Sequence, residues 1–338
     1  MSEFRQDIVS GDWVLLSPRR ALRPNAFQKK RTIRKPSPKK DCPFEDLQKN
    51  GQWPPVIVYP NSEHWKIAVV PNKYPALTYG ENGEHSTLFR HGIYQLRTAV
   101  GNHWLLITRD HNKHFAELSG GEAARVFEVF REAHEMNARD KSAAYVTSFY
   151  NYGAGAGASI WHPHYQVLSL PVIPAHTVHS IRGAREYFKK HGRCVRCDII
   201  KAERRSGIRI VAENKHAFAF APYASKKPFE VSVLPKRHWP SFRETPPEAM
   251  RDVALLLQSV LRAMKKHLGD PDLNFFIHDT PLNDRESRYH HWHIEVVPRV
   301  STDAGFEFST GIIINVVDPD VAAAVLRGKK PGKGPEVH

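Results

Sequence analysis

Only three of the 338 residues are cysteine, at positions 42, 194 and 197. Three thiols cannot build a disulfide framework, and the Cys-x-x-Cys spacing of Cys194 and Cys197 points to metal or redox chemistry instead. No run approaches the ~18 consecutive apolar residues that a membrane-spanning helix requires. The start, Met1-Ser2-Glu3-Phe4-Arg5, is nothing like a signal peptide. A cytoplasmic protein without a membrane partner is therefore expected. Acidic residues are missing from residues 13–40, which hold ten basic ones, beginning at Arg19, Arg20 and Arg23 and ending at Lys39 and Lys40. The +10 of this segment and the +3 of residues 327–338 account for all but one of the formal net charge of +14. The body between them is nearly neutral, which argues against a nucleic-acid-binding fold. Binding of nucleic acid through the two basic segments stands as a contrary hypothesis, and the plain reading of residues 29–40 is a solvated loop.

What is present fits a soluble globular chain: 41% hydrophobic and 25% charged residues, with 25 prolines and 20 glycines implying many loops. The length predicts two domains. It also contains a repeat. The apolar runs Leu105–Thr108 and Val231–Leu234 each lead to a histidine, His111 and His238. After each comes a helical pattern opened by a hydroxyl residue three before a glutamate, Ser119…Glu122 and Thr245…Glu248, the capping-box arrangement. Strand-like runs follow at Tyr145–Tyr152 and Leu273–His278, then the histidine pairs His162-Pro-His164 and His291-Trp-His293, then a further apolar strand. Strand-end histidine and histidine pair are 51 residues apart in the first half and 53 in the second. The order predicts an α+β fold of two tandem units, at 1–178 and 187–338, each a mostly antiparallel sheet with a long helix. The stretch from Pro171 to Glu186 suits a linker.

A cysteine motif precedes each unit. Cys194, Cys197, His238 and His291 form a chemically complete set for zinc, which favours four Cys, His or carboxylate ligands; a redox Cys-x-x-Cys with unrelated histidines is the alternative. The first half offers Cys42, Glu45, His111 and His162. A carboxylate can ligate zinc, but Cys-x-x-Glu is weak evidence, and an ordinary buried Cys42 with an exposed Glu45 is nearly as good a reading. One or two Zn²⁺ per chain are expected.

The segment from Asn151 to Gln166 runs through Gly153, Gly155, Gly157 and Ser159 into His162-Pro-His164-Tyr-Gln166. Strand alternation predicts that His162, His164 and Gln166 share a face. Glycines allow close approach of the backbone, so their amides are expected to face phosphate oxygens. An imidazole on such a face can attack phosphorus and hold the transferred group covalently, while an amide and backbone donors stabilise the charged oxygens.

These motifs, with Gly11-Asp-Trp-Val-Leu-Leu-Ser17-Pro-Arg19-Arg20-Ala-Leu-Arg23-Pro, Asp110-His111 and His278…His291-x-His293, resemble the galactose-1-phosphate uridylyltransferase family of the histidine-triad superfamily, in order and over nearly the whole chain. The resemblance implies two histidine-triad-type domains, a homodimer, and ping-pong transfer of UMP or another nucleotide between a nucleotide sugar and a sugar 1-phosphate. It casts His164 as nucleophile and Gln166 as holder of the nucleotide phosphate. Asn151 and Ser159 would contact the phosphates, Arg20 and Arg23 would lie near the nucleotide or sugar phosphate, and Asn72 and Gly157 complete the substrate-binding set. Cys42, His111 and His162 would bind zinc, with Glu45 where cysteine is more usual. His291-Trp-His293 would be the counterpart that does no chemistry. Cys194/Cys197 and Gly305-Phe-Glu-Phe-Ser-Thr-Gly311…Asn315 look more like an ADP-glucose phosphorylase-like branch, in which inorganic phosphate is the acceptor.

Overall fold

The structure is a computed structural model that describes residues 1–22, 36–80, 85–282 and 287–329. Two strands open the chain, β1 (Glu3–Gln6) and β2 (Trp13–Leu16). The first repeat then supplies β3 (Ile57–Tyr59), β4 (Ile67–Pro71), an exposed hairpin β5 (Leu88–His91) and β6 (Tyr94–Arg97), β7 (His103–Thr108), helix α1 (Gly120–Ala138), β8 (Tyr145–Tyr152) and β9 (His164–Leu170). Helices α2 (Ala175–His191) and α3 (Val195–Ser206) connect it to the second: β10 (Ile210–Glu213), β11 (Ala217–Phe220), β12 (Val231–Pro235), α4 (Pro247–Leu268), β13 (Leu273–His278) and β14 (His293–Pro298). The chain continues through α5 (Gly305–Thr310), β15 (Ile313–Asn315) and α6 (Pro319–Leu326).

The repeat read in the sequence is visible in the sheet. Ten strands run β10-β11-β12-β14-β13-β8-β9-β7-β4-β3, so each half contributes five strands in matching order and the halves meet where β13 pairs antiparallel with β8. The α+β expectation holds. Alternation puts Tyr165 and Val167 of β9, Tyr150 of β8 and Phe275 of β13 on the helix side, where one apolar core spans both halves. Helix α1 offers Val126, Phe127, Phe130 and Ala133 to it, and α4 offers Met250, Val253, Leu257, Leu261 and Met264, the three-to-four spacing of an amphipathic helix. The opposite face of β7 and β9 is covered by residues 42–47, with Phe44 and Leu47 packed on Leu105 and Ile107.

Two local expectations are revised. The capping box of α1 forms: the Ser119 hydroxyl accepts from the Glu122 amide at 3.2 Å and the Glu122 carboxylate accepts from the Ser119 amide at 2.7 Å. That of α4 does not, because Thr245 Oγ1 accepts from the indole of fully buried Trp292 at 2.7 Å and the helix begins behind Pro246. The segment after Pro174 is helix rather than linker, since Thr177, Ile181 and Ala184 make a buried stripe. Finally, β2 pairs in parallel with β15, so the N-terminal strands sit against the C-terminal region.

Candidate active site

β9 carries His164 and Gln166 on its helix-free side. His162 precedes the strand, so it does not share their face by strand alternation; its ring turns to Cys42 and His111. The His164 Nδ1–H donates to the carbonyl of His162 at 2.9 Å, which leaves the lone pair on Nε2. Burial, only partly offset by that hydrogen bond, lowers the His164 pKa and keeps the ring neutral. His164 opens onto a cleft of about 1260 Å³, more than the roughly 300–1,000 Å³ of ordinary small-molecule pockets. Asn151, Ser159 and Trp161 line it from the first half, and Lys265, Asp272 and Arg299 from the second.

The glycine loop is built differently from the expectation. A Cβ at Gly153 would lie 2.0 Å from Asp272 Oδ1 and one at Gly155 2.6 Å from Oδ2, and the Gly155 amide donates to Oδ2 at 2.6 Å. The amides of Ala156, Gly157 and Ala158 bond to carbonyls within the loop. The four amides from 155 to 158 are thus engaged inside the protein, and the first two glycines make room for a carboxylate of the other half. Asn274 Nδ2 fastens the same loop from β13, donating to Asn151 Oδ1 and to the Ala156 carbonyl, each at 2.8 Å. Those four amides are therefore not free to meet an anion at His164.

Two clusters hold ligand atoms within 4.8 Å of one another: Cys194, Cys197, His238 and His291; and Cys42, His111 and His162. In the first-half cluster each histidine donates Nε2–H to a carbonyl, His111 to Ser37 at 2.8 Å and His162 to Thr108 at 2.6 Å, so both Nδ1 lone pairs point inward. Cys42 Sγ is 3.5 Å from His162 Nδ1. Glu45 is half-buried rather than exposed, and its Oε1 lies 3.1 Å from His111 Nδ1 and 3.6 Å from His162 Nδ1. Glu45 Oε1 and His111 Nδ1 are buried without a hydrogen-bond partner. Tetrahedral zinc with bonds of ~2.0–2.3 Å separates its ligands by roughly 3.3–3.8 Å, a range that holds the Cys42–His162 and Glu45–His162 spacings and lies just above that of Glu45 and His111. Burial drives His162 down to about 4, the neutral form a metal needs. In the second cluster Cys197 Sγ is 3.6 Å from His291 Nδ1 and 3.8 Å from His238 Nδ1, and hydrogen bonds led by that from Cys197 lower the pKa of the Cys194 thiol.

The second half repeats the frame with different partners. His293 corresponds to His164 and points Nδ1 at the His291 carbonyl at 3.4 Å, but Glu295 replaces Gln166. His278 Nε2 is 3.1 Å from Glu295 Oε2, and against the cost of burial this contact lowers the Glu295 pKa.

Among the remaining expectations, Gly157 caps the loop with φ +88 and lies outside the lining of the cleft. Asn72 sits beside His103, 3.2 Å from its Nε2. Arg20 lies on the turn after β2 and does not line the cleft. Arg23 and most of the basic segment fall outside the described residues. Residues missed in the sequence are His103, Asp272 and Asn274. Each acts across strands or between halves, and no local pattern marks it.

The chain matches the family described as galactose-1-phosphate uridyl transferase, N-terminal domain, over residues 1–174, and a domain of unknown function over residues 101–327. It is 33% identical to the ADP-glucose phosphorylase of Arabidopsis thaliana across 96% of this chain and 92% of that one. It is 25% identical to the galactose-1-phosphate uridylyltransferase of Thermotoga maritima across 97% and 98%. The crystal structure of the Arabidopsis thaliana ADP-glucose phosphorylase with bound ADP-glucose superposes with a TM-score of 0.82 at 30% identity, covering 97% of this chain and 98% of that one. The chain belongs to the galactose-1-phosphate uridylyltransferase family and is a nucleotidyltransferase.

Proposed function

We propose that the protein moves a nucleoside monophosphate between a nucleotide sugar and a sugar 1-phosphate through a covalent nucleotidyl-His164. The observation that carries this reading is the neutral imidazole of His164, fixed by its Nδ1–H on the His162 carbonyl with Nε2 as the nucleophile. Nε2 attacks the α-phosphorus, an N–P bond forms, and the bond from that phosphorus to the bridging oxygen breaks, releasing sugar 1-phosphate. A phosphate oxygen of the acceptor then attacks the same phosphorus, the N–P bond breaks and Nε2 regains its lone pair. Gln166, Asn151 and Ser159 supply donors to the phosphoryl oxygens. Asn72 and Gly157 act behind the substrate site, Asn72 beside His103 and Gly157 in the turn of the loop.

Two Zn²⁺ ions are part of this reading, one held by Cys42, Glu45, His111 and His162 and one by Cys194, Cys197, His238 and His291. Their contribution is structural: the first ties residues 42–45 to the loop that ends at the nucleophile. The enzyme works as a cytoplasmic homodimer.

A second reading takes inorganic phosphate as the acceptor, and the 33% identity to a plant ADP-glucose phosphorylase over nearly the full chain favours it. The experiment combines ADP-glucose or UDP-glucose, labelled in the α-phosphate, with glucose 1-phosphate, galactose 1-phosphate or orthophosphate. Label should reach His164 without acceptor and leave it with the true acceptor. Turnover or labelling retained in His164→Gly would end the nucleophile assignment.

A further inference from the structure

The orientation of the Gln166 amide is set by a buried histidine on the neighbouring strand. His103 opens β7 opposite Leu168, which places it diagonally across from Gln166 on the same face of the sheet. Its Nδ1 accepts from the backbone amide of Ala76 at 3.0 Å. A backbone N–H can only donate, so that nitrogen carries the lone pair and the proton resides on Nε2. Nε2 is 2.9 Å from Gln166 Oε1. The side-chain oxygen is therefore the atom drawn toward His103, and the NH₂ of Gln166 is turned the other way, as a group that can only donate. Asn72 Nδ2 also lies 3.2 Å from Nε2, but it is a donor and an Nε2 that carries the proton cannot accept from it, so Gln166 Oε1 is the acceptor of that proton. The residues after β4 are strapped over His103: the Asn72 amide donates to the His103 carbonyl at 2.9 Å, and the Tyr79 hydroxyl donates to the same oxygen. Burial, opposed by the Gln166 bond, lowers the His103 pKa and keeps the ring neutral.

We infer that His103 is a positioning residue that fixes the Gln166 side chain as a donor toward the phosphoryl group, with the Ala76 amide selecting the tautomer. This rests on the reading of Gln166 as a phosphate ligand. Before an anion binds, a free amide can point either its oxygen or its nitrogen at the site, and an oxygen so placed would repel the anion. The relay removes that choice before substrate arrives.

Two measurements test it. Protein labelled with ¹⁵N in histidine, with His103 assigned by the signals lost in His103→Gln, should show Nε2 protonated and Nδ1 bare at neutral pH. A proton on Nδ1, or on both nitrogens, overturns the relay whatever the enzyme's substrate. A double-mutant cycle then reads the coupling. Gln166→Ala should lower kcat by about 10²–10³, the loss expected for one donor to a transition-state oxyanion. His103→Ala should lower it at least tenfold on its own, yet less than twofold in the Gln166→Ala background. His103→Gln, which keeps a donor facing Gln166, should lose less than His103→Ala. Losses that multiply independently would make His103 merely structural and refute the inference. If the wild type neither labels His164 nor turns over, the proposed function fails, while the tautomer still decides the His103–Gln166 pairing.

Discussion

Gly153 and Gly157 make a matched pair for testing how the nucleotide loop is held. Both have left-handed φ, +87 and +88, but a Cβ at Gly157 would meet nothing nearer than Asn151 Nδ2 at 3.7 Å, whereas at Gly153 it would fall 2.0 Å from Asp272 Oδ1. Gly157→Ala therefore bears only the conformational cost, about 1–2 kcal/mol for an L-residue in that region. Gly153 also has ψ 157, a combination open almost only to glycine, with a cost of order 1–3 kcal/mol. Its variant must in addition displace the Asp272 carboxylate, which surrenders the bond from the Gly155 amide, worth about 1.5–3 kcal/mol for a charged acceptor. Gly153→Ala should thus destabilise by about 2.5–6 kcal/mol, well beyond Gly157→Ala. Urea unfolding with unchanged m-values measures both. In an Asp272→Ala background the extra penalty at Gly153 should fall to its conformational part. Equal losses for the two glycines in the wild-type background would refute the idea that Asp272 dictates them.

Other expectations concern chemistry, metal and the buried core. His164→Gly should abolish both turnover and covalent label, read by radiolabelled nucleotide sugar and acid-quenched protein. Chelation should remove about two zinc ions per chain by elemental analysis and lower the melting temperature, since each ion joins distant segments. Glu45→Cys should slow zinc loss from the first cluster by supplying a softer ligand. Asp279 is buried against His134 Nδ1 at 3.5 Å and accepts from the Phe242 and Thr280 amides; these interactions overcome burial and depress its pKa. Asp279→Asn should cost about 3–5 kcal/mol, as for a buried pair left with one partner. A depressed pKa gives stability that is present above the ordinary carboxylate value and lost below it. The gap between wild type and Asp279→Asn should therefore narrow as pH falls below about 3.8, measured by unfolding at stepped pH.

The duplication was legible because the same signals recur twice in order: an apolar run ending in His111 or His238, a helix, and a histidine pair. The clustering of Cys194, Cys197, His238 and His291 was legible for the same reason, since Cys-x-x-Cys and paired histidines leave spacing in the chain. Glu45 was ambiguous until its Oε1 appeared between two inward-facing imidazoles. What escaped depends on partners more than 100 positions away or across strands. The glycines of the loop suggested open backbone, but Asp272 fills the space at two of them. His162 was assigned to the strand by its spacing from His164, although the turn that feeds the metal cluster takes precedence over alternation. Thr245 has the sequence of a cap and instead binds the indole of Trp292, a demand made by the core rather than by the helix.

The pairing of β8 with β13 carries a practical consequence for dissecting the protein. A piece ending near residue 174 would hold His164, Gln166 and the first metal cluster, yet leave Tyr145–Tyr152 as a naked edge with unpaired amides and carbonyls. It would also lack Asp272 and Asn274, so the loop beside the nucleophile would lose its external clamps. Such a fragment is expected to self-associate through that edge and to regain catalysis only when the complementary piece is supplied. The glycine loop and the inner edge strand of the first repeat are thus held by the second.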